Sequence, residues 1–202
     1  CISCIAALFM NGCGTGKTAD IQNPYSLTGD NSSVSSQFFA RNLCVTDDIN
    51  FGTDQVHADY AEGAGVFDLT TKEVLYSQNL FEKLYPASTT KILTCIVAME
   101  QCKPDEVVTF SAKAASQPKV HLGAKKGEQF YMQDLWYGLM LESYNDCAYA
   151  IAEHVAGSAE KFAALMNEKA KKIGCTDSHF VTPNGLDAKD EQGEHHTTAY
   201  DL

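Results

Sequence analysis

Residues 86–101 read Pro86-Ala87-Ser88-Thr89-Thr90-Lys91-Ile92-Leu93-Thr94-Cys95-Ile96-Val97-Ala98-Met99-Glu100-Gln101. Ile92, Cys95, Ile96 and Met99 fall at helical spacing, and Leu93 and Val97 fill a second face, which predicts a helix over 88–101. A helix apolar on most of its sides is expected at the centre of a core. Ser88 and Lys91 stand three residues apart at its start, on one face and one turn from each other. A serine hydroxyl is a weak nucleophile until a neighbour takes its proton. A lysine can be that neighbour when apolar surroundings disfavour its ammonium form. The helix N-terminus adds a field that favours negative charge near Ser88. The bland alternative is a serine cap beside a solvated lysine, and this motif alone leaves it open.

Working outward, Ser143-Tyr144-Asn145 falls at a break between two apolar helices. Such a corner presents a hydroxyl and an amide from a rigid base, or else caps the helix that follows. The helix before it is expected to begin at Asp134, with Leu135, Leu139 and either Met140 or Leu141 turned inward. The helix after it runs from Asp146 to Val155 and stops at Gly157. Ser158 caps a third helix, whose apolar positions are Phe162, Leu165, Met166 and Ile173 and whose stop is Gly174. Upstream, residues 61–69 and 73–77 read as two strands joined by Thr70-Thr71-Lys72, a hairpin. Val107–Phe110 reads as a short strand. Residues 123–129 and 182–197 read as loops, and Trp136 as core.

Composition narrows the function. Fifteen Lys and Arg against 26 Asp and Glu leave a net charge of −11, the wrong sign for a nucleic-acid partner. Hydrophobic residues at 45% are enough for a sizeable core. No apolar run reaches the roughly 20 residues of a membrane-spanning helix. The eight cysteines show no zinc spacing, so no metal is expected. Cys95 and Cys102 lie about 10 Å apart along one helix, too far to bridge. His57, His121, His154 and His179 are scattered and read as surface or satisfied groups. His195-His196 reads as structural, and Lys125-Lys126 as a solvated turn. At the start, the apolar run 2–10 followed by Asn11-Gly12-Cys13 resembles the end of a secretory signal with a lipobox-like cysteine. The organisation expected is therefore a partial signal over 1–13, a polar linker over 14–50 and a folded domain over 51–202. Export is expected, with a membrane tether through Cys13.

Ser88-x-x-Lys91 followed by Ser143-x-Asn145 is the order found in penicillin-recognising serine enzymes. Residues 61–201 closely resemble the D-alanyl-D-alanine carboxypeptidases, the low-molecular-weight penicillin-binding proteins. The resemblance is carried by Val74-Leu75-Tyr76 and Asn79, by Pro86–Lys91, by Leu139–Ala148, and by Phe162 through Asn167. Thr182-Pro183-Asn184-Gly185-Leu186 and Thr197–Asp201 complete it. It implies an α/β (α+β) β-lactamase/transpeptidase-like fold, an antiparallel sheet flanked by helices with a helical subdomain. It further implies that Ser88 attacks the carbonyl between the terminal D-alanines of a peptidoglycan stem peptide, with Lys91 as base. Ser143 would relay a proton to the leaving amine and Asn145 would bind substrate. An acyl-enzyme on Ser88 would follow, with β-lactams as covalent inhibitors and no cofactor. Two departures stand out. Tyr144 replaces the usual alanine, and the sequence to Leu202 does not contain the family's Lys-Thr-Gly motif. The C-terminal strands are accordingly expected to be missing, and this chain alone to be poorly active.

Two other readings compete. A class A-like β-lactamase would carry Ser-Asp-Asn where this chain has Ser143-Tyr144-Asn145. A non-catalytic penicillin-binding or peptidoglycan-binding surface module would have no need of Ser88, Lys91, Ser143 and Asn145 together.

Overall fold

The structure is a computed structural model that describes residues 49–53, 56–68 and 70–202. The expected signal segment, Cys13 and nearly all of the linker lie outside the described residues. Ile49 and Phe51 are tied to Ser77. Phe51 N donates to Ser77 O at 2.9 Å, Ser77 N returns the bond to Phe51 O at 3.0 Å, and Ser77 Oγ donates to Ile49 O at 2.9 Å. The hairpin read from the sequence is present. Strands β1 (Ala64–Phe67) and β2 (Val74–Gln78) pair antiparallel. Asp68 fixes their turn, because its Oδ1 accepts from Thr70 N at 2.7 Å and Thr71 N at 3.0 Å, a local bond that competes well with water.

Helix α1 (Thr90–Gln101) follows a single 3-10 turn at Ala87–Thr89. Leu93, Cys95, Val97 and Ala98 turn inward. The expectation of burial on most sides does not hold: Ile92, Ile96 and Met99 are 45%, 37% and 52% exposed. Helices α3, α4 and α5 all pack on α1, yet among the described residues this apolar stripe stays largely uncovered.

Strand β3 (Val107–Thr109) is where the sequence placed it, but it pairs with β4 (Gln129–Tyr131). The loop expected over 123–129 thus ends in a strand. Three residues are too few to show a period, and β4 is held by its register and by Phe130 packing edge-on against Phe110 at 5.3 Å. Between the strands lies α2 (Ala112–Ala115), capped by Ser111 Oγ, which accepts from Lys113 N and Ala114 N. Helix α3 (Met132–Leu141) starts two residues earlier than expected and buries Met132, Leu135 and Leu139. Met140 and Leu141 are 46% and 75% exposed, which corrects the inward placement of either one. The inward stripe begins with Met132, and each further residue rotates 100° away from it.

Helices α4 (Asn145–Ala156) and α5 (Ala159–Ile173) end as read, on Gly157 and Gly174 in left-handed conformation. Ser158 Oγ caps α5 by accepting from Lys161 N at 3.2 Å. The expected loop over 182–197 contains a two-residue hairpin, β5 (Lys189–Asp190) and β6 (Gly193–Glu194). Two apolar clusters share α1 and α4. One gathers β3, α2 and α3; the other gathers α5 and Phe180. Burying a side chain such as Phe162 or Met166, both 0% exposed, contributes about 2–3 kcal/mol before ordering entropy is subtracted. Trp136 is half-buried against the first cluster rather than inside it. The four cysteines among the described residues, Cys95, Cys102, Cys147 and Cys175, are free thiols.

Candidate active site

Ser88 sits exposed in the 3-10 turn that leads into α1, and Lys91 is buried in the first turn of the helix. Ser88 caps nothing, and the cap residue Thr89 makes no side-chain cap bond, so the bland cap reading fails. Lys91 Nζ donates to Ser88 Oγ at 3.1 Å, to Asn145 Oδ1 at 2.9 Å and to the backbone carbonyl of Asn184 at 2.8 Å. Lys91 is only 2% exposed, and burial pulls its pKa down from 10.5 to about 8. These three partners suit either charge state. An ammonium donates to all three. A neutral amine keeps its two N–H bonds on Asn145 and Asn184 and turns its lone pair to the Ser88 hydroxyl.

The Ser143-Tyr144-Asn145 corner is held from both sides. Asn145 N donates to Val120 O at 2.8 Å and Asn145 Nδ2 to Pro118 O at 3.1 Å. Asp146, 1% exposed, accepts from Leu122 N and Gly123 N, each at 2.9 Å. The 118–123 segment is thereby clamped to the start of α4. Neither Ser143 nor Asn145 caps α4; Tyr144 occupies that position without a side-chain bond. Ser143 adopts φ 59°, and its buried Oγ has no hydrogen-bond partner among the described residues. An orphaned hydroxyl on a strained backbone is a feature of sites held ready for a ligand. Ser143 lines a pocket of about 340 Å³ with Ser88, Lys91, Ile92, Leu139 and Met140. Ala87, next to Ser88, is likewise at positive φ, 48°.

Residues 180–185 reach the site through the Asn184 carbonyl on Lys91. Asn167 on α5 clamps Phe180 with two 2.7 Å bonds to its backbone. Thr94 Oγ1 donates to Pro183 O at 2.7 Å, and the Asn184 side chain donates to Gln117 Oε1 at 3.0 Å. The same segment rests on His195, which is 0% exposed. His195 Nδ1 accepts from Val181 N at 3.0 Å and Thr182 N at 3.3 Å, so its Nε2 carries the proton and donates to Thr90 Oγ1 at 2.9 Å. His196 turns the other way, toward Glu194 O, so the adjacent histidines diverge.

Sequence reasoning brought Ser88, Lys91, Ser143 and Asn145 together; in the structure Ser88, Lys91 and Ser143 line one pocket, and Asn145 joins them through its bond to Lys91. It missed Asp146, the carbonyl of Asn184 and the strap made by His195. The last was visible only as a structural histidine.

With this geometry in hand the likenesses are specific. The D-alanyl-D-alanine carboxypeptidase family, peptidase S11, matches residues 51–202. The chain belongs to that family. D-alanyl-D-alanine carboxypeptidase DacF of Bacillus subtilis is 36% identical over 150 residues, covering 72% of this chain and 38% of that protein. DacD of Salmonella typhimurium is 34% identical over 184 residues, covering 84% and 46%. The chain therefore spans less than half the length of these curated relatives. The crystal structure of the carboxypeptidase DacD from Francisella tularensis superposes with a TM-score of 0.67 at 32% identity, covering 79% of this chain and 39% of that one. Carboxypeptidase-family neighbours at this level show the transpeptidase-like α/β fold, of which the described residues carry the helical part and three small antiparallel pairs.

Within this member of the carboxypeptidase family, His195→Ala is expected to cost about 3–5 kcal/mol, through a cavity and orphaned buried polar groups. Burial, with lesser help from His179, holds the His195 pKa at about 4 rather than 6.5. The unfolded chain therefore takes up that proton first, and stability falls as pH drops from 6.5 toward 4. Denaturant midpoints measured across that range should lose this part of their slope in the variant.

Proposed function

We propose that the full gene product is a serine D-alanyl-D-alanine carboxypeptidase that removes the terminal D-alanine from peptidoglycan stem peptides. The observation that carries this is Lys91 Nζ within 3.1 Å of Ser88 Oγ and fixed by two further acceptors. Ser88 attacks the penultimate carbonyl as Lys91 takes its proton. The Ser88 N–H supplies one oxyanion donor. Ser143, facing the same pocket, passes a proton to the leaving D-alanine amine, and water releases the acyl group. Asn145 orients Lys91 through Oδ1; for its Nδ2 to reach substrate it must exchange its bond to Pro118 O. Penicillin-binding protein D2 of Listeria monocytogenes, 26% identical with a TM-score of 0.59, has been crystallised with ampicillin bound; the same chemistry makes β-lactams covalent inhibitors here. Since peptidoglycan lies outside the cell membrane, the protein is exported, and a tether through Cys13 is part of this reading.

Fluorescent penicillin tests it. The full-length product should be labelled, and Ser88→Ala should abolish the label while leaving the fold intact. No label on the folded full-length product would replace the enzyme by a non-catalytic binding module. Rapid hydrolysis of the penicillin without a lasting adduct would favour the β-lactamase instead.

A further inference from the structure

At the far end of α1, about 16 Å along the axis from Lys91, three side chains from separate elements converge. Cys102 is the C-terminal cap of α1, Glu106 precedes β3, and His154 lies on α4. One ligand atom from each, Cys102 Sγ, a Glu106 oxygen and a His154 nitrogen, fall within 4.8 Å of one another. His154 Nε2 is 3.0 Å from Glu106 Oε2. We propose that Cys102, Glu106 and His154 form a zinc-binding site.

The donor set selects the ion. A thiolate and an imidazole favour a borderline-soft cation, and one carboxylate completes three protein ligands of a tetrahedral Zn²⁺, with water as the fourth. Calcium and magnesium, which prefer all-oxygen shells, are poorly served. The scaffold is rigid where it must be. Cys102 N is bonded to Ala98 O at 2.9 Å, and Glu106 O accepts from Met132 N at 2.8 Å. Glu106 Oε1 accepts from Lys103 N at 2.7 Å, which orients the carboxylate and leaves Oε2 toward His154. Ligands anchored in this way lose little freedom on binding. The site is reachable, since the His154 side chain is 28% exposed. The sequence hid it because Cys102 and Glu106 are separated from His154 by about half a hundred residues, far beyond the short ligand spacings by which zinc motifs are read. A bound ion would rivet the end of α1 to α4 and to the turn before β3, and would touch none of the pocket residues.

The test is titration of the full chain with Zn²⁺ by calorimetry and with Co²⁺ by absorption, in a background with Cys1, Cys4, Cys13 and Cys44 changed to serine. One equivalent should bind, Co²⁺ should give a sulfur-to-metal charge-transfer band, and the thermal midpoint should rise with Zn²⁺. Cys102→Ser should remove the band, and the exposed His154→Gln should weaken binding by roughly 100-fold with the fold intact by circular dichroism. Absence of the band, or a band that survives Cys102→Ser, overturns the proposal, as does unchanged affinity in His154→Gln.

Discussion

Gly185→Ala should cripple both the fold and penicillin labelling. A Cβ at Gly185 would lie 1.8 Å from the backbone oxygen of Ala87 and 2.9 Å from Thr90 Oγ1, on a residue at φ +82°. Neither obstacle is the end of a flexible side chain, so the 183–185 segment or the Ser88 turn must move. The strain and displaced bonds should cost about 3 kcal/mol, read as a fall of about 10 °C in thermal midpoint. The same movement withdraws the Asn184 carbonyl from Lys91, and misplacing a base by about 1 Å is expected to slow acylation about 100-fold. Gly174→Ala is the control. Its φ is +102° but its Cβ would meet open space, so it should cost about 1 kcal/mol and leave labelling unchanged. Normal labelling in Gly185→Ala would mean that Asn184 is not needed to hold Lys91.

Lys91 carries the second large effect. With a pKa of about 8, roughly a tenth of the amine is neutral at pH 7 and about half at pH 8, so the acylation rate should rise about fivefold over that unit. A flat profile from pH 7 to 9 would assign the proton to another group. Lys91→Met should lower the rate by about 10²–10⁴-fold. Stability should change by only about 1 kcal/mol, because loss of a buried ammonium offsets the two acceptors left unpaired. The sign of the linkage follows from the lowered pKa. Above pH 8 the folded protein has released a proton that the unfolded chain keeps until about 10.5, so stability contributed at this site rises between those values. Equilibrium unfolding of the wild type and Lys91→Met across pH 7 to 10 would expose that difference.

How much of this was legible depended on the range of the interaction. Ser88 and Lys91 are one helical turn apart, so spacing alone put them on one face. The stops at Gly157 and Gly174 and the hairpin turn at Thr70-Thr71-Lys72 are equally local, although Asp68, which holds that turn, was read as strand. The short pairs β3–β4 and β5–β6 were not fully legible, because two or three residues carry no period. Helix orientation was half legible: the stripe in α3 was seen, but its origin at Met132 was not, which misplaced Met140 and Leu141. The third partner of Lys91 could not be read at all. It is a main-chain carbonyl 93 residues away, and every residue type, proline included, offers the same oxygen. Cys102, Glu106 and His154 were hidden for the same reason, since their meeting depends on α1 lying across α4.

The outward stripe of Ile92, Ile96 and Met99 has a colloidal consequence. At neutral pH a net charge of −11 makes copies of the chain repel one another beyond a Debye length. Acidification titrates that repulsion away while the greasy stripe is untouched. Concentrated salt likewise screens the charge and strengthens apolar attraction. Solutions of this chain should therefore cloud as they approach the isoelectric pH or high sulfate, with the stripe as the adhesive face.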